Sequence, residues 1–184
     1  MEVQGMNQTS LQRIDGFLDS STRELFLSHG MTVYPCSPQA AGGGQPLTAT
    51  IGFTSAGSAD FRGQLVLTLD RDLAAGSLPP NLRKGEAGDE IVADWAGELS
   101  NQLLGRLKNR FHPTGVDIAL STPVVFMGRG MRHFCCASSI QRTLGYAEGR
   151  IVVELQVSYD GDLEIPEGKE SLEPSQPEGE AVFF

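Results

Sequence analysis

The chain has 184 residues, is 40% hydrophobic and carries a formal charge of −9 at pH 7. That length suits a single domain with a proper core, and no run approaches the roughly 18 apolar residues that a membrane span needs. Fourteen basic residues stand against 23 acidic ones; without a basic cluster, a nucleic-acid groove is excluded.

Residues 160–184 hold eight of the acids and one base, so the rest of the chain is close to neutral. The first residues lack a basic stretch followed by an apolar one, and a cytoplasmic protein is expected. Three cysteines, Cys36, Cys135 and the adjacent Cys136, make a poor disulfide framework and are read as reduced. His29, His112 and His133 are scattered with no carboxylate or cysteine at ligand spacing, so no metal site is expected.

In chain order, residues 8–29 read as an amphipathic helix with Leu11, Ile14, Phe17, Leu18, Leu25 and Phe26 on one side and Gly30 as its stop. A loop follows, punctuated by Pro35, Pro38 and three glycines at 42–44. Residues 47–55 and 61–69 read as strands, close enough in sequence to form an antiparallel hairpin. A short helix over 70–78 ends at Pro79-Pro80.

Residues 89–111 form a long helix whose apolar side is Ile91, Val92, Trp95, Leu99, Leu103 and Leu107. A strand region at 115–127 is broken at Pro123. Further strands are expected at 132–141 and 150–159, joined by a turn over 144–149. In the last of them Ile151, Val153, Leu155, Val157 and Tyr159 face one way, and Val152, Glu154, Gln156 and Ser158 form a wetter side. The organisation is therefore a folded domain over 1–159 and a Pro-, Gly- and acid-rich tail over 160–184 expected to be disordered or loosely attached. Val182-Phe183-Phe184 closes that tail and is open to two readings, a docking peptide or a plain terminus.

The chemistry concentrates on the long helix. Asp94, Glu98 and Asn101 are spaced i, i+4, i+7, so two carboxylates and an amide share one stripe. The amide both donates and accepts, which suits it to holding a water; a carboxylate accepts from a lysine or arginine. Gly97 and Gly105 would each cost about 1 kcal/mol against alanine inside a helix. Something must approach the backbone there, either a partner's loop or a neighbouring strand of this chain.

Asp94-x-x-x-Glu98-x-x-Asn101, the run Gly97-Glu98-Leu99-Ser100-Asn101-Gln102-Leu103-Leu104-Gly105, and Pro123 placed 22 residues after Asn101 together resemble the signature of the CheC/CheX/FliY chemotaxis phosphatases. The family pattern places that proline about one residue later. The order of elements over roughly 10–158 agrees with the resemblance, which is closest to the CheX branch. It implies an α+β, CheC-like fold with long helices packed on a mostly antiparallel β-sheet. It also implies a phosphatase acting on the aspartyl-phosphate of a CheY-like response-regulator receiver domain. Such a receiver supplies Mg2+ and a lysine of its own, and the phosphatase needs no cofactor.

Carried across, Asn101 would hold the attacking water and Glu98 would pair with the receiver lysine. Asp94, Gly97 and Gly105 would form the substrate-binding surface, Asp94 as a helix-orienting or rim contact. The CheX branch also implies a homodimer built in part through sheet edges, with the strands at 132–141 and 150–159 as the expected source. A non-catalytic adaptor for a receiver domain or flagellar switch, on the same fold, is the alternative. Asp15-x-x-x-Asp19-x-x-Thr22 on the first helix echoes the motif with both functional residues changed. A single functional site is therefore expected.

Overall fold

The computed structural model describes residues 8–37, 44–55, 61–83, 87–128, 138–147, 149–159 and 165. Among the described residues three α-helices, α1 (Gln8–Ser28), α2 (Arg71–Ser77) and α3 (Asp89–Phe111), accompany seven strands. These are β1 (Tyr34–Pro35), β2 (Pro46–Ser55), β3 (Phe61–Asp70), β4 (Ile118–Leu120), β5 (Val124–Met127), β6 (Ser138–Tyr146) and β7 (Gly149–Tyr159). They form one antiparallel sheet in the order β1-β6-β7-β3-β2-β4, with β5 beside β4 along the same edge of β2.

Alternation decides which face is buried. Leu47, Ala49, Ile51 and Phe53 of β2 register with Leu69, Leu67, Leu65 and Gly63 of β3, and these with Ile151, Val153, Leu155 and Val157 of β7. That row joins Ile14, Leu18, Leu25 and Phe26 of α1 and Val92, Leu99, Leu103 and Leu107 of α3 in one core. Each such side chain contributes about 1.5–3 kcal/mol when fully buried. An aromatic chain runs through it: Phe111 meets Phe17 at 5.7 Å and Phe61 at 5.5 Å, and Phe61 meets Phe53 at 5.4 Å. None of the helices is long and apolar enough, among the described residues, to cross a membrane.

The helix termini obey local chemistry. α3 carries Asp89 and Glu90 in its first turn and Lys108 and Arg110 in its last, each charge complementing the helix dipole. Arg110 crosses to α1, donating to Ser21 Oγ at 3.0 Å and pairing with Glu24 at 2.5 Å. Gly30 follows α1 at φ +77°, and Met31 N–H closes back on the Phe26 carbonyl at 2.8 Å.

Several expectations change. Ile91 stands 43% exposed, off the apolar side where periodicity placed it; Leu104 and Phe111 are buried instead. A helix cannot bury all of a wide stripe against a flat sheet, and the residue at the rim stays in water. The strand expected to end at 141 runs on through Tyr146, so Leu144–Tyr146 lie in the ladder rather than the turn. Gly145 pairs with Tyr34, and a Cβ there would stand 2.6 Å from the Tyr34 ring. The glycine accommodates a crossing tyrosine, a tertiary demand that reads as a turn signal in sequence. Its early part, 132–137, lies outside the described residues.

β7 is enclosed by β6 and β3, so it offers no edge to a second copy. Only β6 is an edge strand of the two: β1 covers it at Leu144 and Gly145, and no described strand pairs its other residues on that side. Ile165 is the other surprise. It is 4% exposed within the core, its carbonyl accepts from Arg13 Nη1 at 2.6 Å, and its N–H donates to Ser10 Oγ at 3.1 Å. The folded domain therefore reaches past residue 159. One isoleucine in an acidic stretch carries no periodicity to announce this. The segment 166–184, with Val182-Phe183-Phe184, lies outside the described residues.

Candidate functional site

α3 presents Asp94 and Glu98 exposed and Asn101 half-buried, while Trp95, Leu99 and Leu103 turn inward. At 1.5 Å of rise per residue, Asp94 and Asn101 are about 10 Å apart along the axis. Glu98 and Asn101 are neighbours across one turn, with Cβ atoms about 5–6 Å apart. Neither Asp94 nor Asn101 makes a side-chain hydrogen bond to another described residue. The donors and the acceptor of the half-buried Asn101 amide thus have no partner among the described residues.

Gly97 answers one of the two readings of the motif glycines. It is buried, and a methyl group there would meet Val125 Cγ2 at 3.3 Å and Pro123 Cγ at 3.7 Å. The close neighbour is this chain's own β5 and the residue that leads into it. The same contact explains why a proline 22 residues downstream accompanies the helix motif: Pro123 sits against the helix one residue from Glu98. Among the described residues nothing lies within 4 Å of where a Cβ would stand at Gly105. One turn beyond Asn101, then, no described residue packs against the helix at Gly105 as Val125 and Pro123 do at Gly97.

Glu98 is held from behind. Gln102 Nε2 donates to Glu98 Oε1 at 2.8 Å, and Gln102 Oε1 pairs with His29 Nε2 at 3.1 Å. His29, at the end of α1, stands edge-on to Trp95 at 5.1 Å. The buried Trp95 indole N–H donates to Ser77 Oγ of α2 at 2.9 Å, and Ser77 Oγ donates to the Ala74 carbonyl at 2.8 Å. Three helices thus converge behind one carboxylate. Sequence reading missed Gln102 and His29 as part of the site. The i, i+4 spacing of Glu98 and Gln102 was a visible signal; the contribution of α1 was not.

The echo on α1 has other work. Asp15 pairs with Arg142 of β6, and Asp19 accepts from Arg23 Nε at 2.8 Å. That hydrogen bond raises the Arg23 pKa above its ordinary value. Thr22 is fully buried, its hydroxyl donating to the Leu18 carbonyl at 2.6 Å. Asp15 thus ties α1 to the sheet, while Asp19 and Thr22 are engaged within α1 itself, so the three present no surface like that of Asp94, Glu98 and Asn101. A groove of about 530 Å³ lies on the other face of the sheet, lined by Arg62, Gln64, Ser121 and Gln156 among others, away from α3. Among the described residues no three His, Cys, Asp or Glu side chains gather to hold a metal ion.

The family model described as chemotaxis phosphatase CheX matches residues 47–141, just over half of the sequence. The chain belongs to the CheX family. The match spans β2, α3 with its Asp94, Glu98 and Asn101, and Pro123. No curated protein matches the sequence.

Solved structures agree in fold. CheX from Vibrio vulnificus superposes with a TM-score of 0.66 at 23% identity, covering 79% of this chain and 99% of its own. A CheX from Desulfovibrio desulfuricans gives 0.64 at 17% identity, covering 79% and 99%. The CheX–CheY–BeF3–Mg2+ complex from Borrelia burgdorferi gives 0.57 at 16% identity, covering 80% and 96%. Identities this low carry the fold of the CheX family and leave the activity to be argued from the site.

Proposed function

We propose that this CheX-family chain is a phosphatase that hydrolyses the aspartyl-phosphate of a CheY-like receiver domain. The observation that carries the reading is the Asn101 amide, without a hydrogen-bond partner among the described residues and one helical turn from Glu98, beside a Gly105 that no described neighbour crowds. The complex of the Borrelia relative with CheY supports the choice of partner.

The chemistry asks little of the phosphatase. Water oxygen forms a bond to phosphorus while the bond from phosphorus to the receiver carboxylate oxygen breaks. The products are inorganic phosphate and a free carboxylate. The divalent metal, Mg2+, and a lysine come with the receiver. An amide is no base at neutral pH, so Asn101 does not abstract the proton, which passes to phosphate oxygen or solvent. Its carbonyl accepts from the water and its NH2 donates, fixing the oxygen in line with the leaving group. Glu98 accepts from the receiver lysine and sets the docking register. Asp94 lies on the rim, two turns before Asn101.

The test is release of phosphate from a metal-loaded, phosphorylated CheY-like receiver. Glu98→Ala should raise KM about tenfold, as expected for losing one charge-assisted hydrogen bond, with kcat changed less than about threefold. A fall in kcat at unchanged KM would remove Glu98 from docking. Binding of the receiver without any acceleration would move the chain to the adaptor reading.

The homodimer belongs to the same proposal, with the β6 edge as the place where a second copy adds. Light scattering at micromolar concentration should give twice the 19.7 kDa chain mass; a monomer mass would remove it.

A further inference from the structure

Glu98 is an exposed glutamate with a side chain that is already oriented. An exposed glutamate ordinarily samples many rotamers and loses them on docking. Here Gln102 holds one carboxylate oxygen, and His29 holds Gln102. The amide cannot turn over: its oxygen would then face the carboxylate, acceptor against acceptor. With Gln102 Nε2 committed to Glu98, the Gln102 oxygen requires a donor, a part that the His29 Nε2–H fills. His29 is itself fixed against Trp95, which Ser77 anchors in the buried layer between α2 and α3. The second carboxylate oxygen of Glu98 makes no hydrogen bond to a described residue and remains for an incoming cation.

We propose that His29 and Gln102 are positioning residues that hold the Glu98 carboxylate ready for the receiver's lysine. The inference rests on the reading of Glu98 as the docking carboxylate. Its consequence is confined to association: releasing Glu98 restores rotamers that docking must then remove, whereas the water on Asn101 is unaffected. His29 was absent from the motif because it lies in the turn that follows α1, 69 positions before Glu98. It reaches the site only because α1 and α3 pack together.

Two substitutions separate positioning from packing. His29→Phe keeps a ring against Trp95 and removes the N–H. His29→Gln keeps an N–H at similar reach and removes the ring. Positioning predicts that His29→Phe raises KM for the phosphorylated receiver about three- to tenfold with kcat within twofold, and that His29→Gln restores most of the wild-type KM. A role in packing alone predicts the reverse order, which would overturn the proposal.

Gln102→Met, of similar length without the amide, should raise KM as His29→Phe does. In a Glu98→Ala background His29→Phe should add nothing, and a further rise there would also overturn the proposal. If Glu98→Ala raises KM while His29→Phe does not, the relay fails and the docking role of Glu98 stands. If Glu98→Ala itself leaves KM unchanged, both fall. Should the wild type bind without accelerating, the phosphatase reading falls, and the same ranking of variants, read in Kd for the phosphorylated receiver, decides the relay.

Discussion

Asn101→Ala should slow phosphate release from a phosphorylated, metal-loaded receiver by at least about 100-fold, the order of effect expected when a reacting group loses its alignment. Affinity for the receiver should change less than about threefold. The asymmetry follows from the placement of the amide. Asn101 is half-buried at the outer face of α3 and holds no other described residue, so its removal leaves the core and the Glu98 network intact. The fold should persist within about 0.5 kcal/mol, as for surface changes that break no contact. Thermal melting and single-turnover phosphate release measure the two halves. A variant that turns over at the wild-type rate would mean that the receiver orders its water without this amide. A variant that loses affinity and rate together would make Asn101 a docking residue.

Phe111→Ala should destabilise the domain by about 3–5 kcal/mol, lowering Tm by about 6–20 °C for a chain of this size. Phe111 is fully buried as the last residue of α3 and touches Phe17 of α1 and Phe61 of β3. Its removal opens a cavity where helix, helix and sheet meet, and the surrounding rings cannot all collapse into it. Because folded domains are stable by only about 5–15 kcal/mol, a large share of the population would unfold near physiological temperature. Denaturant unfolding at 25 °C reads the change. A loss below about 1 kcal/mol would show that the aromatic chain is repacked or wet in solution. The residue lies more than two turns beyond Asn101, so activity per folded molecule should stay near wild type.

These two residues illustrate what kind of information a sequence holds. The bounds of α3, the alternation of β2, β3 and β7, and the face shared by Asp94, Glu98 and Asn101 were all legible. Helical and strand periods are set by the backbone, and a run of residues reports its own period. The break at Pro123 was legible for the same reason, since proline removes a ladder donor. The extension of β6 through Tyr146 was not, because Gly145 answers to Tyr34, far away in sequence. The exposure of Ile91 and the burial of Ile165 escaped similarly: each depends on what lies opposite, and periodicity says nothing about that.

The site divides along the same line. Residue types and spacing alone placed an amide and a carboxylate on one helical stripe, because both lie within two turns of one helix. Whether Gly97 faced a partner or this chain's own β5 was settled only by the packing of Val125 and Pro123 against it. The support of Glu98 by His29 through Gln102, and the pairing of Asp15 with Arg142 of β6, were likewise decided by tertiary contacts. Local chemistry repeats along the chain and can be read from it. Long-range contact depends on how helices and sheet come together, and a side chain's partner across that gap leaves no mark at its own position in the sequence.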